Sequence, residues 1–495
     1  MPASFFRIFV ARGSAVVALV ISASQVTSCG DGGTSPPKFV GKLIRVSDNG
    51  QAADVGTAVP IDVRVADANG GAVKGITLTF TVTRGGGSVS PVSAQTDGAG
   101  QASAEWTLGP AIGLNEVTVT AARVSGSPLS VTATGRSPSF FATIIAAGAY
   151  HTCGITPAHV AYCWGDNSYG QLGDSTTTPS LVPVRVTGNH TFAQITAGQD
   201  HTCALDTGGA GFCWGDNSFG QLGVGIAAST TVPTPVVGNL TFSSISTASV
   251  HTCALTIAQT LYCWGGNMNG QLGSNGNVWS SSPVLVAGGH QFRSFVAGWR
   301  HTCGIAVSGE TLCWGANEFG AVGDSTTTDR LAPTRVHTML LFDKLGAGFD
   351  NTCGITHDQH GYCWGDNNAG GGGTGTMGDT LLVPKAIVGS NLFVQLASGY
   401  EYTCGVSTQL LCWGGNSAAT LGDGQASNTP TLTPTRVAIT GVNFLAVAGS
   451  MMHTCAIAFD RAVYCWGVNL YGEVGDGTTQ IRFAPVRVHP PSENP

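Results

Sequence analysis

The stretch "HTCGITPAHVAYCWG" (residues 151–165) contains two cysteines ten positions apart and ends in Trp-Gly. The same arrangement returns at intervals of 50 or 51 residues until it has occurred seven times. Repeats of this length cannot bury their own hydrophobic faces, so they must stack on their neighbours. The number and the period of the repeats therefore decide the architecture.

Each repeat has the pattern of four short strands. "FAQITAG" (192–198), "HTCALD" (201–206) and "GFCWG" (211–215) have the apolar spacing of strands, and a Pro-Val-rich run such as "VPVRV" (182–186) follows a loop rich in Gly, Asn and Asp. Four strands repeated seven times predict an all-β fold, a seven-bladed β-propeller over residues 139–490 with a tail at 491–495. We expect the ring to close by pairing of residues 484–488 beside residues 141–144.

The two cysteines of each repeat are symmetric about a turn, as opposed residues of an antiparallel hairpin are. In the sixth repeat the spacing drops to eight, which shortens both arms equally and keeps the pair opposed. Opposed residues lie about 4.5–5.5 Å apart at Cα, within reach of a disulfide. The predicted disulfides are Cys153–Cys163, Cys203–Cys213, Cys253–Cys263, Cys303–Cys313, Cys353–Cys363, Cys404–Cys412 and Cys455–Cys465.

Other interpretations of the cysteines are weaker. A histidine two residues before the first cysteine could join a zinc site, but Asn351 and Tyr402 hold that position in two repeats. Redox catalysis is disfavoured because the chain contains no Cys-x-x-Cys motif. Buried free thiols are the remaining alternative. We predict no metal site and no cofactor.

Seven of the ten tryptophans follow the second cysteine directly. We expect them to fill the core between blades, and a ligand platform is the alternative. The loop that follows, as in "WGDNSYGQLG" (164–173), holds an asparagine at one position in all seven repeats and closes on glycine. Both residue types tolerate the positive φ of tight loops. The fifth repeat has Gly371-Gly372 in place of Gln-Leu, so its loop should be looser.

These motifs, with "AGQDHTCAL" (197–205) upstream, resemble the regulator of chromosome condensation repeat family. The resemblance covers residues 139–490 and implies a seven-bladed propeller. The paired cysteines depart from the nuclear members of the family and resemble secreted bacterial ones. Nuclear members exchange guanine nucleotide on a small GTPase, which an exported protein would not meet.

Two other relatives within this resemblance suggest different activities. "GWRHT" (298–302) matches a motif of the related plant ultraviolet-B photoreceptor, but only Trp299 occupies a position of that receptor's tryptophan cluster, which disfavours photoreception. A secreted relative inhibits β-lactamase, so inhibition of an enzyme is an alternative to simple binding.

Residues 38–136 contain no cysteine and alternate between apolar and polar side chains. Ile76, Leu78 and Phe80 share one strand face, and "DANGG" (67–71) and "TDGAG" (96–100) mark turns. The pattern predicts a β-sandwich. "VKGITLTFTV" (73–82) and "GLNEVTVTA" (113–121) resemble bacterial Ig-like domains of the invasin and intimin type, which implies a spacer or, alternatively, an adhesive module.

The N-terminus has the features of an export signal. Arg7 and Arg12 precede an apolar run at 15–21 that is too short to span a membrane. "VTSC" (26–29) resembles the lipobox of bacterial lipoproteins, which implies a signal peptide at 1–28, a lipid on Cys29 and a tether at 29–37. Ordinary cleavage that leaves Cys29 free is the alternative. We expect a membrane-anchored protein at the cell surface or in the periplasm.

The composition narrows the function. Charged residues make up 10 % of the chain, the formal net charge is −7, and the 21 Lys and Arg form no basic run, which argues against a nucleic-acid partner. The chain contains no Gly-x-Ser-x-Gly and no His-Glu-x-x-His motif, so we predict no catalytic residues. A hydrolase with dispersed residues is the weaker alternative.

Two positions before each His-Thr-Cys strand differ in every repeat while the scaffold around them stays fixed. If all seven loops open on one face, they form a ring rich in the residue types that dominate protein interfaces. This ring is predicted to bind a protein or glycan, and packing around the channel mouth is the alternative. The candidate binding residues are Tyr150, Asp200, Trp299, Arg300, Phe349, Asp350, Tyr400, Glu401 and Met452.

Overall fold

The computed structural model describes residues 39–111, 113–136, 139–425 and 429–491. These residues form strands, turns and loops without any helix, and so none that could cross a membrane, which confirms the predicted all-β class. They group into two compact units, one centred on Ala58–Thr107 and Glu116–Ala133 and one that contains the residues from Thr134 onward. The predicted signal peptide, the tether with Cys29 and all of the tail except Pro491 lie outside the described residues.

The first unit consists of two five-stranded sheets that each bury alternate residues. Trp106 and Phe80 lie in these buried rows, as the alternation predicts. Asp67 and Asp97 fix the two predicted turns, because each Oδ1 accepts backbone N–H groups two and four residues ahead. The strands are β1 (Gly41–Arg45), β2 (Gln51–Asp54), β3 (Ala58–Ala66), β4 (Thr77–Arg84), β5 (Gly87–Ser90), β6 (Ser93–Gln95), β7 (Gln101–Leu108), β8 (Gly113–Ala121), β9 (Val124–Ser125) and β10 (Leu129–Arg136). The sheet orders are β5-β7-β3-β1-β9 and β2-β10-β8-β4-β6.

The described part of the second unit forms seven four-stranded antiparallel sheets, each with its strands in chain order. We number them sheet 1 to sheet 7. Sheets 1 to 3 are β11 (Ile144–Ala147), β12 (His151–Ile155), β13 (Ala161–Gly165), β14 (Ser180–Arg185); β15 (Phe192–Ala197), β16 (His201–Asp206), β17 (Gly211–Gly215), β18 (Thr230–Pro235); and β19 (Phe242–Thr247), β20 (His251–Thr256), β21 (Leu261–Gly265), β22 (Ser280–Leu285). Sheets 4 and 5 are β23 (Phe292–Ala297), β24 (His301–Ala306), β25 (Thr311–Gly315), β26 (Arg330–Arg335); and β27 (Phe342–Ala347), β28 (Asn351–Thr356), β29 (Gly361–Asp366), β30 (Thr380–Ala386). Sheets 6 and 7 are β31 (Gln395–Ser398), β32 (Tyr402–Val406), β33 (Leu410–Gly414), β34 (Thr431–Arg436); and β35 (Phe444–Gly449), β36 (His453–Ala458), β37 (Val463–Gly467), β38 (Arg482–Arg487).

All seven predicted disulfides are present, one in each sheet. Each joins directly opposed residues of the second and third strands, with Cα atoms 4.0–4.1 Å apart, somewhat closer than expected. Cys404 and Cys412 stay opposed although their hairpin is two residues shorter. The fourteen thiols are therefore consumed, and the zinc and free-thiol interpretations are wrong.

The seven repeat tryptophans are fully buried between neighbouring sheets. Trp214 of sheet 2 packs with Leu172 and Val186 of sheet 1, and its Nε1 donates to the carbonyl of Gln171 at 2.9 Å. The same bond, at 2.7–3.0 Å, recurs in all seven sheets. The tryptophans are core residues, as expected, and the platform alternative is wrong.

The residue two positions before the first cysteine ties each sheet to the next. His151 Nε2 lies 2.8 Å from Thr202 Oγ1, and because that hydroxyl donates to the Gln171 carbonyl, the histidine supplies the proton to it. Asn351 donates to Thr403 at 3.4 Å, and the hydroxyls of Tyr402 and Thr454 are 2.8 Å apart. The two exceptions to histidine thus keep the contact. The pairs are His151–Thr202, His201–Thr252, His251–Thr302, His301–Thr352, Asn351–Thr403, Tyr402–Thr454 and His453–Thr152.

The chain closes the ring where it was predicted to, between the segment before β11 and the residue after β38. The Phe140 N–H donates to the Val488 carbonyl at 2.9 Å, and the Val463 N–H donates to the Phe140 carbonyl at 3.0 Å. Residues 144–147 form the first strand of sheet 1 and pair with β12, whereas β38 is the last strand of sheet 7 and pairs with β37. Positions 140 and 488 are therefore adjacent where the ring closes, as predicted, although β11 itself pairs with β12 and not with β38.

The loop between the third and fourth strands of each repeat differs from the expectation in one respect and agrees with it in another. Asn167 has no positive φ; its Oδ1 accepts the Leu172 N–H and its Nδ2 donates to loop carbonyls, so its side chain holds the loop. In the fifth repeat Gly372 still donates to the loop asparagine, and Leu381 fills the space that leucine occupies elsewhere. That loop keeps the hydrogen bonds of its asparagine but lacks the two that the Gln171 side chain makes with Tyr169 and Asp166, as the expected loosening implies.

Candidate interaction face

Strands of an antiparallel sheet alternate in direction, so the loops after the first and third strands lie at the same end of the sheet. The predicted variable pairs occupy the first of these loops, and the Asn-containing loops occupy the second. The rings of Tyr150 and Tyr471, from the two kinds of loop, are 5.9 Å apart. We call the surface formed by these strand ends the loop face. Its loops after the first strands are residues 149–150, 199–200, 249–250, 299–300, 349–350, 400–401 and 451–452. Its loops after the third strands are residues 166–169, 216–219, 266–269, 316–319, 366–369, 415–418 and 468–471.

The mouth of the central channel lies in the middle of the loop face. A cavity of about 120 Å³ there is lined by residues from all seven sheets. The first residues of six variable pairs line it: Ala149, Gln199, Trp299, Phe349, Tyr400 and Met451. The two interpretations of the ring are therefore not exclusive, since these residues lie on one face and also surround the channel mouth.

Three aromatic side chains from sheets 4, 5 and 6 form one continuous cluster at this mouth. The rings of Trp299 and Phe349 are stacked at 4.5 Å, and those of Phe349 and Tyr400 meet edge to face at 4.9 Å. Tyr400 is 42 % exposed, and the other two are half-buried. We call Trp299, Phe349 and Tyr400 the aromatic cluster.

Carboxylates surround one side of the aromatic cluster. A cavity of about 10 Å³ is lined by Phe349, Asp350, Asn351, Asp366, Tyr400 and Glu401, and we call it the acidic pocket. Arg300 lies 3.5 Å from Asp350. Burial nevertheless raises the pKa of Asp350 against the opposing effect of Arg300, and burial also raises the pKa of Asp366. The charge of Glu401, followed by burial, raises the pKa of Tyr400.

A second group of carboxylates lies where sheets 7, 1 and 2 meet. Burial raises the pKa of Asp200 to about 6 and that of Glu473 to about 7, and the charge of Asp166 contributes to both shifts. Glu473 is 1 % exposed; its Oε2 accepts the Tyr471 N–H, and its Oε1 has no hydrogen-bond partner among the described residues. Gln171 at the equivalent position in sheet 1 donates from Nε2 to Asp166 at 2.8 Å.

The structure divides the predicted binding residues into groups. Trp299, Phe349 and Tyr400 form the aromatic cluster, and Arg300, Asp350 and Glu401 lie beside it. Tyr150 and Asp200 belong to the second group. Met452 is half-buried and lies in neither.

Sequence reasoning missed Asp366, Glu473 and Tyr471. A signal was present for Tyr471, because the pair after the loop asparagine differs in every repeat, as in "SY" (168–169), "MN" (268–269) and "LY" (470–471). In all, the loop face carries seven carboxylates and one basic side chain, Arg300. The carboxylates are Asp166, Asp200, Asp216, Glu318, Asp350, Asp366 and Glu401.

The sequence matches known families in both units. The regulator of chromosome condensation (RCC1) repeat matches residues 160–205, 209–255 and 260–305, and a second description of that repeat matches 142–171, 192–221 and 292–321. The bacterial Ig-like domain (group 1) matches residues 43–134.

Similar proteins share only part of the chain. Probable E3 ubiquitin-protein ligase HERC4 of Homo sapiens is 29 % identical over 94 residues, which cover 19 % of this chain and 9 % of HERC4. Ultraviolet-B receptor UVR8 of Arabidopsis thaliana is 29 % identical over 117 residues, 23 % of this chain and 26 % of the receptor. The matched segments are thus a small part of these relatives.

Solved structures share the fold of the second unit. Human WBSCR16 has a TM-score of 0.61 at 19 % identity, covering 66 % of this chain and 93 % of that one. Prp20p from Saccharomyces cerevisiae has a TM-score of 0.61 at 18 % identity, covering 71 % and 87 %. The chain carries regulator of chromosome condensation (RCC1) repeats, folded as a β-propeller and preceded by a bacterial Ig-like domain of group 1.

Proposed function

We propose that this chain is a non-enzymatic interaction scaffold, a seven-bladed propeller that binds a protein or glycan through its loop face. The observation that carries the proposal is the aromatic cluster, three rings in mutual contact that come from three successive sheets. Trp and Tyr are over-represented among residues that dominate binding energy, above all in well-packed pockets near the centre of an interface. An inhibitor of an enzyme would use the same surface.

A rigid scaffold supports the cluster. Each sheet is tied to the next by a buried tryptophan, a His-Thr type hydrogen bond and hydrophobic packing, and each is closed by a disulfide. Binding groups on such a frame lose little conformational entropy when a partner arrives. The first residues of the loop pairs can therefore vary without loss of the fold.

The proposed location is outside the cytoplasm, with a lipid on Cys29 holding the protein to a membrane. Seven disulfides and a bacterial Ig-like domain support export, since disulfides persist in oxidising compartments. The Ig-like unit is proposed to act as a spacer. Mass spectrometry of the N-terminal peptide from the native host tests the anchor, because an unmodified Cys29 in the mature protein contradicts it.

The binding surface is tested by capture from the producing organism's extracytoplasmic proteins and glycans. The bait is the full chain without its lipid (Cys29→Ser), compared with the same bait carrying Trp299→Ala, Phe349→Ala and Tyr400→Ala. A matched control carries Ile257→Ala, Val307→Ala and Phe459→Ala. These residues lie in exposed turns after second strands, at the end of the sheets opposite the loop face. A ligand retained by the control and lost by the cluster variant supports the proposal; equal capture by all three contradicts it. Turnover in a hydrolase screen contradicts the non-enzymatic assignment.

A further inference from the structure

We propose that the partner of the loop face is a lysine- or arginine-rich segment of a polypeptide. This inference rests on the proposed function and adds the chemistry of the ligand. The inference follows from two sites rich in carboxylates and aromatic rings, the acidic pocket and the group around Glu473. It follows also from the scarcity of basic side chains that could neutralise these carboxylates.

The charge of the chain is concentrated on the loop face. Seven carboxylates stand there against Arg300, which is already paired with Asp350. The formal charge of the face is therefore close to that of the whole chain, −7. A surface of one sign attracts partners of the opposite sign and repels nucleic acids and other polyanions.

The acidic pocket has the chemistry of a cation site. Asp350, Asp366 and Glu401 line it together with the rings of Phe349 and Tyr400. Its volume of about 10 Å³ is at the lower limit for one water-sized group, and an ammonium group has that size. A cation placed there is attracted by the carboxylates, and the rings of Phe349 and Tyr400 border it with aromatic surface.

Glu473 is the second, independent observation. Its buried Oε1 takes the place from which Gln171 and Gln221 donate to Asp166 and Asp216, but it has no hydrogen-bond partner among the described residues. Tyr150 and Tyr471 lie against each other beside it, and burial, followed by the charge of Asp200, raises the pKa of Tyr150. An incoming basic side chain supplies the hydrogen-bond donors that this site lacks.

A polypeptide fits these sites better than a metal ion does. The structure groups no three His, Cys, Asp or Glu side chains in metal-binding geometry within its described residues. The two sites belong to different sheets of the same face, so several cations on one flexible chain can engage both. The aromatic cluster between the charged groups offers apolar area that a simple ion does not use.

The test uses defined peptides and the Cys29→Ser chain. Fluorescence anisotropy measures binding of a labelled peptide of alternating Lys and Gly, with a Glu-Gly peptide of the same length as the negative probe. We expect the Lys-Gly peptide alone to bind, and more weakly as salt is raised, because salt screens exposed charges.

Two variants of equal net charge locate the binding. The face variant carries Asp350→Asn, Asp366→Asn and Glu401→Gln. The control variant carries Asp206→Asn, Glu310→Gln and Asp358→Asn, at the end of the sheets opposite the loop face. We expect the dissociation constant to rise at least about tenfold in the face variant alone, with a smaller rise for Glu473→Gln. Thermal unfolding checks that each variant is folded.

The outcomes separate this inference from the proposed function. Equal weakening in the two triple variants means non-specific attraction to an acidic protein and overturns the inference, as does no binding of the Lys-Gly peptide. If the peptide fails while a ligand is captured through the aromatic cluster, the proposed function stands and the partner is not basic.

Discussion

His453 Nε2 lies 2.7 Å from Thr152 Oγ1, although the two residues are 301 positions apart in the chain. The same threonine hydroxyl donates to the Glu473 carbonyl at 2.9 Å, which also accepts from the Trp164 indole. This is the bond that closes a circle of seven equivalent contacts between sheets. The first and last repeats are thus joined by the same type of contact as the internal pairs.

Thr152→Val should destabilise the propeller by about 2–3 kcal/mol. The change keeps the shape of the side chain but leaves the buried His453 N–H without its acceptor and removes a donor from the Glu473 carbonyl. Urea unfolding measures the effect, and Thr177→Val at an exposed loop position is the control. An equal loss of stability in the two variants would show that closure does not depend on this bond.

The stability of the propeller should fall as the pH drops below about 6.5. Burial lowers the pKa of His151 and His301 to about 4, and that of His201, His251 and His453 to about 3. Since the unfolded chain takes up these protons near pH 6.5 and the folded chain does not, each histidine costs about 1.4 kcal/mol per pH unit in this window. Glu473 and Asp200, whose pKa values are raised, oppose part of the loss.

The variant His151→Asn tests this origin of the acid sensitivity. Asn351 shows that asparagine keeps the contact to the next threonine, and asparagine does not titrate. The slope of unfolding free energy between pH 6 and 5 should decrease by about 1.4 kcal/mol per unit. An unchanged slope in urea titrations at the two pH values would assign the acid sensitivity to other groups.

The alternation, the repeat period and the cysteine symmetry are local properties of the sequence, and they predicted the strands and the disulfides. The contacts of His151 with Thr202 and the role of Asn167 depend on hydrogen bonds that no periodicity encodes. Asp366 was missed for a related reason. It comes from a different loop than Tyr400 and Glu401, and only the turning of the chain from sheet to sheet brings it to them.

Gly173→Ala should cost about 2–4 kcal/mol. Gly173 has φ 69°, and a Cβ there would lie 2.6 Å from the Trp214 indole nitrogen, so both the backbone and the tryptophan contact are strained. Gly276→Ala is the matched control, because a Cβ at that position meets nothing within 4 Å. Urea unfolding of the two variants measures the difference. A fully stable Gly173→Ala protein would mean that the tryptophan can shift without loss of packing.

Phe349→Ala should weaken ligand binding much more than it weakens the fold. Phe349 is the central ring of the aromatic cluster and contacts both Trp299 and Tyr400, so its removal leaves both neighbours free to reorient. We expect the dissociation constant of the captured ligand to rise at least about tenfold, a loss typical of a central interface residue. Because the ring is only half-buried, its removal should reduce the free energy of unfolding by about 1 kcal/mol.

Phe219→Ala is the control, since Phe219 lies on the same face, is 42 % exposed and is outside the cluster. Titration calorimetry and urea unfolding separate the two effects, and equal affinities of the two variants would place recognition elsewhere on the face.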